Sequence, residues 1–135
     1  LSYWEAISRI LFIRKYSEEP GDAIPSLCME TLAGDALTAR CLVEGVENLQ
    51  VEFGVDTDED GVPNRYIAAP TAAQLQHAVA VKIHLLLRSI GTLPGHRDDK
   101  TYRLGVKALP ATHDAYLRRV LSSTVLLRNH IAFTG

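Results

Sequence analysis

The sequence predicts a mainly β fold of antiparallel strands, and three observations carry the prediction. In Leu49 to Val55 the apolar residues Leu49, Val51, Phe53 and Val55 alternate with Gln50, Glu52 and Gly54, the period of a strand with one face on a core. Val79 to Arg88 repeats the pattern: Val79, Val81, Ile83, Leu85 and Leu87 face one way, as the core side, and Ala80, Lys82, His84, Leu86 and Arg88 face the other. Two further strand-like runs flank Gly34-Asp35, a dipeptide suited to a two-residue type II′ hairpin turn.

In chain order, Tyr3 to Tyr16 offers helix-compatible spacing at Trp4, Ile7 and Leu11, and also a strand-like run that we place from about Ile10. Ser17 to Pro25, with EEPGD at its centre, is a turn or loop. Leu27 to Leu32 and Leu37 to Val43 form the hairpin. Folding at Gly34-Asp35 sets Ala33 opposite Ala36, Thr31 opposite Thr38, Met29 opposite Arg40, and Cys28 opposite Cys41. Counted out from the turn, the cysteines fall on a non-hydrogen-bonded pair, where Cα atoms approach to about 4.5 Å. That lies within the disulfide range, so a Cys28–Cys41 bridge is predicted, the alternative being two buried thiols. A disulfide implies an oxidising compartment. Thr71 to His77 reads as a turn or two of helix, Gly91 to Asp99 as a mobile loop, Lys100 to Gly105 as a short strand, and Ala108 to His113 as a connection. The last strand, near Val120 to Arg128, is partly apolar on both faces. His84, on the polar side of its strand, is expected at the surface or under a neighbouring subunit.

Between the first two alternating strands lies an acidic loop. Asp56, Asp58 and Asp60 recur at every second residue and Gly61 follows, so three carboxylates can converge on one cation while glycine permits the tight turn. An EF-hand would place a bidentate Glu eleven residues after the first ligand; Ile67 stands there and cannot ligate. Asn64, or a carbonyl such as that of Val62, would complete a looser calcium site, and the DxDxDGxxN pattern resembles thrombospondin-type acidic repeats. The competing reading is a solvated turn shaped by Gly61 and Pro63.

Composition narrows the classes of function. The chain has 135 residues, 47% of them hydrophobic and 22% charged, with net charge −2. We expect one domain over residues 1–135. A near-neutral balance disfavours nucleic acid as a partner. Arg118 and Arg119 form the one adjacent arginine pair, with Asp114 four residues before Arg118, the spacing of a local ion pair or a solvated edge. Two cysteines with no histidine at ligand spacing beside them do not make a zinc site. No nucleophile elbow, HExxH, phosphate-binding glycine loop or dinucleotide fingerprint is present, so the chain is not expected to be an enzyme and has no assigned catalytic residue. His113-Asp114 is adjacent by sequence only, and a hydrolase using that pair would lose activity on changing either residue.

The run LVEGVENLQVEFGVDTDEDGVPNRY, Leu42 to Tyr66, resembles the signature region of PilW-type minor pilins of type IV pili. VAVKIHLLLRS (Val79 to Ser89), KTYRLG (Lys100 to Gly105) and DAYLRRVLSSTVLLRN (Asp114 to Asn129) follow in the family's order. The resemblance implies an α+β pilin-like architecture, in which an antiparallel sheet packs on an apolar N-terminal helix that anchors the protein in the inner membrane. No stretch here approaches the ~20 apolar residues of a membrane helix, and we read the chain as a soluble ectodomain, one whose sheet would expose an apolar strip without that helix. The resemblance further implies a structural protein of a Gram-negative bacterium, at the periplasmic face of the inner membrane and in the extracellular pilus. It would prime assembly and sit at the fibre tip with other minor pilins, the major pilin and a tip adhesin. A J-type pseudopilin of type II secretion and a calcium-dependent extracellular adhesion module are the alternatives.

Overall fold

The structure, a computed structural model, describes residues 8–127. Tyr3, Trp4 and Ile7 of the alternative helix, and Arg128-Asn129 at the end of the last strand, lie outside the described residues. Among the described residues there are three antiparallel sheets and one short helix. β1 (Ser8–Arg14), β2 (Ser26–Ala33) and β3 (Ala36–Glu44) form the first. The second, in the order β5-β4-β6-β9, contains β4 (Val46–Val55), β5 (Arg65–Ile67), β6 (Ala78–Arg88) and β9 (Arg118–Leu126). β7 (Tyr102–Leu104) and β8 (Lys107–Leu109) form a small hairpin. Part of the expected Ala108 to His113 connection is thus strand. α1 (Ala72–Leu75) is a single turn held by a capping box, Thr71 Oγ1 accepting from the Gln74 N–H while Gln74 Oε1 accepts from the Thr71 N–H.

From the turn to the cysteines the β2–β3 hairpin has the register read from its turn: Ala33 faces Ala36, Thr31 faces Thr38, Met29 faces Arg40 and Cys28 faces Cys41; beyond Cys28 the register shifts by one residue, so that Leu27 faces Val43. Gly34 has φ 64° while Asp35 stays at negative φ, as a type II′ turn requires. Cys28 and Cys41 are disulfide-bonded, with Cα atoms 3.8 Å apart, closer than the ~4.5 Å of an ordinary non-hydrogen-bonded pair. Cys28 is fully buried.

Gly45 is the corner at which the chain leaves the first sheet and enters the second. Its φ is 80°, its N–H donates to Pro25 C=O (2.8 Å), and its C=O accepts from the Arg88 N–H (2.7 Å). A Cβ there would lie 2.6 Å from the Arg88 carbonyl oxygen, so only glycine makes the turn with the two sheets this close.

One expectation about the core is corrected. On β6 the fully buried residues are Ala78, Ala80, His84 and Leu86, while the apolar row Val79, Val81, Ile83, Leu85 and Leu87 is only half-buried. His84 is therefore not a surface residue; it is 7% exposed. The cause is the excursion between β6 and β9, which folds back over the mixed polar face. Leu104 is 1% exposed, and the turn at Gly105 sits so tightly on this face that a Cβ would meet the Glu52 carboxylate and the His84 ring. Glu52 and His84 consequently lie inside, His84 Nδ1 sharing a hydrogen bond with Ser122 Oγ (2.7 Å) and its Nε2 lying 3.6 Å from Glu52 Oε1.

Candidate functional site

The loop after β4 begins on a buried residue. Asp56 is 6% exposed, and its backbone N–H donates to His77 C=O (2.9 Å). The Asn64 N–H returns to Val55 C=O (2.8 Å) and closes the loop, which passes through positive φ at Glu59 (61°) and Gly61 (84°). Asp56 accepts from the N–H groups of Asp58 (3.2 Å) and Gly61 (2.8 Å), and Asp60 accepts from that of Val62 (2.8 Å). This wrapping gathers Asp56, Asp58 and Asp60, whose ligand oxygens lie within 4.8 Å of one another.

Crowding shows in their acidities. Burial pushes the Asp56 carboxyl up, but the Gly61 N–H and the Asp58 carboxyl outweigh it, and its pKa falls below the ordinary value. Asp58 is pushed up, first by the Asp56 carboxyl against it, then by burial and the charge of Asp60. Such a cluster can take up a proton or a cation. Three carboxylates in an oxygen-only set suit a hard cation of the calcium class. The other two expected ligands are placed differently. Asn64 Oδ1 accepts from the Thr57 N–H (2.6 Å) and hydroxyl (2.9 Å), with its side chain also against Asp58. Val62 engages the cluster through its N–H.

The expected Asp114–Arg118 ion pair exists, at 2.6 Å, but it lies in a buried hub away from any solvated edge. Arg118 is 8% exposed, and its guanidinium donates to both oxygens of Glu47 (2.7 and 3.0 Å), both of Asp114 (2.6 and 2.7 Å), Asp98 Oδ2 (2.9 Å) and Thr112 Oγ1 (2.8 Å). Asp98, 2% exposed, also accepts from the Tyr102 hydroxyl at 3.0 Å. Arg118 holds the Asp114 carboxyl far below the ordinary range. At Asp98 burial pushes the pKa up, but Arg118 and the Lys100 N–H pull it below the ordinary value. A cleft of about 310 Å³ opens beside this hub, between Leu86, Tyr102 and Leu109. The Arg118 guanidinium and Tyr102 hydroxyl on its wall already donate to Glu47, Asp98, Thr112 and Asp114, so the hub fastens the excursion to the sheet. Sequence spacing shows the i, i+4 partner but carries no signal for Glu47, 71 residues away. His113 pairs with Asp99 (2.5 Å), and Asp114 turns to Arg118, so the hydrolase pair is not assembled.

The half-buried face of the second sheet is its other conspicuous feature. Cross-strand rows Phe53–Val81–Val125 and Leu49–Leu85–Leu121 flank Val51–Ile83–Ser123. Leu121 is 52% and Val125 48% exposed. Among the described residues, no helix is long and apolar enough to cross a membrane.

A search of curated proteins and a search of solved structures return no match. A family model does match: Type IV Pilus-assembly protein W, over residues 10–129. That span takes in both large sheets, the disulfide hairpin, the acidic loop and the arginine hub, and the chain belongs to the PilW family of type IV pilus-assembly proteins.

Proposed function

We propose that the chain is one pilin-like domain of a minor pilin, a structural component that primes type IV pilus assembly and sits at the fibre tip. The observation that carries this reading, beside the family, is the open apolar face. Its three strands, ~4.8 Å apart, and three rows, ~6.8 Å apart, make a patch roughly 10 by 14 Å, the width of one α-helix. An apolar N-terminal helix, anchored in the inner membrane before assembly, fits that patch. The Cys28–Cys41 disulfide agrees with a periplasmic and extracellular location. Other minor pilins, the major pilin and a tip adhesin are the partners.

The acidic loop adds a calcium site at Asp56, Asp58 and Asp60 in this reading, with Asn64 and the Val62 carbonyl as the ligands that would have to turn inward. The raised pKa of Asp58 supports it, because a cation relieves the repulsion that proton uptake otherwise relieves.

Deleting the gene and measuring the pilin sheared from the cell surface tests the assembly role. The expected result is loss of surface pilin, restored by the full-length gene. Unchanged pilin with exported proteins accumulating in the periplasm would assign the chain to type II secretion, and unchanged pilin without accumulation would leave the adhesion module.

A further inference from the structure

Among the described residues β9 is an edge strand, and past Arg118 and Arg119 at its start the edge carries none of the usual defences against pairing with another chain. The hydrogen bonds from the Leu127 N–H to Val79 C=O (2.9 Å) and from the Ser89 N–H to Leu117 C=O (2.8 Å) fix the phase of its ladder with β6. Odd-numbered β9 residues bond to β6, so the N–H and C=O groups of Val120, Ser122, Thr124 and Leu126 point outward. Among the described residues, no strand meets them. From Val120 to Leu127 there is no charge, glycine or proline. The other described edges are short or charged: β5, β7 and β8 are three residues long each, β1 carries Arg9 and Arg14, and β3 carries Arg40 and Glu44.

The sequence of this edge is close to palindromic. About Ser123, Ser122 mirrors Thr124, Leu121 mirrors Val125, and Val120 mirrors Leu126. An antiparallel strand with that symmetry is its own complement, because every apolar residue meets an apolar one and every hydroxyl residue meets another.

We propose that β9 is a self-pairing edge, whose partner is the β9 strand of a second copy of this chain, with Ser123 of both copies on the two-fold axis. Ser122 then faces Thr124 and Val120 faces Leu126 in hydrogen-bonded pairs, giving on the order of eight backbone hydrogen bonds. Ser123 faces Ser123 in a non-hydrogen-bonded pair, and Leu121 meets Val125 on the open apolar face, which covers part of two side chains now about half exposed. The axis stands normal to the sheet, so the two copies run in opposite directions. Filaments grow through heterologous contacts, so this isologous pair is a state of the free domain, and its existence does not depend on the pilus reading. An edge pair of this length buries less than the ~1,200 Å² of a standard complex, which makes the dimer weak and concentration-dependent.

Sedimentation of the chain across a concentration series, with charge variants at the axis, provides the test. Ser123→Lys and Ser123→Glu each set like charges face to face and should weaken dimerisation at least about tenfold, whereas an equimolar mixture should recover it as a heterodimer. Ser123→Cys places two thiols at a pair with Cα atoms ~4.5 Å apart and should oxidise to a covalent dimer, which Ser122→Cys should not. A parent that stays monomeric at every concentration overturns the proposal. So does a dimer that survives both charges, since it would rest on another surface.

Discussion

Replacing Arg118 by alanine removes the one cation that Glu47, Asp98 and Asp114 share. The Arg118 and Asp98 side chains are each 2% exposed, so the variant leaves a carboxylate inside the fold with the Tyr102 hydroxyl and the Lys100 N–H but no countercharge. Removing one member of a buried ion pair costs ~3–5 kcal/mol. For a domain of this size that corresponds to a loss of about 10 °C or more in Tm. The penalty has a pH signature. Asp98 and Asp114 both have lowered pKa values in the folded state, so their contribution is present above the unfolded value near 4 and disappears as pH falls through the folded values. The parent therefore loses stability in acid faster than Arg118→Ala, and the gap between them narrows below about pH 4. Urea denaturation of both proteins at neutral and acid pH measures this. A neutral-pH loss under about 1 kcal/mol, or a gap that does not change with pH, would show that the hub does not fasten the excursion to the sheet.

Gly45→Ala combines positive φ with a Cβ 2.6 Å from the Arg88 carbonyl oxygen, and should cost roughly 2–4 kcal/mol in denaturant unfolding, where Gly34→Ala, with open space around it, costs less. The Cys28→Ser, Cys41→Ser double variant should lose up to ~3 kcal/mol, and a thiol reagent should find no free thiol in the unfolded oxidised protein. Calcium should raise the parent's melting temperature and leave that of Asp58→Ala nearly unmoved; an equal response in both would remove the loop as the site. Because the Asp58 pKa is raised, Asp58's own contribution to the ion-free loop is present below about pH 4 and is lost as pH rises through the folded value, so the calcium response should be larger at neutral pH than in acid.

From the turn out to Cys28 and Cys41 the hairpin was legible to the residue, because a two-residue turn leaves one register open and Gly34-Asp35 marks the turn; the irregularity beyond Cys28, which sets Leu27 opposite Val43, left no mark in the spacing. The three aspartates were legible for a related reason: alternation in a tight loop brings i, i+2 and i+4 together whatever the rest of the chain does. Which face of the second sheet is buried was not legible. Val81, Ile83 and Leu85 read as core, while His84 and Glu52 read as surface, because alternation records polarity but not what covers each face. The cover comes from the excursion between β6 and β9, fastened by contacts as distant in sequence as Glu47 to Arg118. Asn64 illustrates a smaller limit. Its spacing fits a ligand, yet Thr57 offers its amide oxygen two hydrogen bonds close at hand.

The central claim is that the open face of the second sheet serves pilus assembly, and complementation tests it most directly. In a deletion strain, the full-length parent gene and an Ile83→Asp version are compared for pilin sheared from the surface, with the purified variant domain's melt as the control for folding. The account predicts that the parent restores surface pilin and that Ile83→Asp, folded but with a charge at the centre of the apolar rows, does not. Full restoration by Ile83→Asp would contradict it.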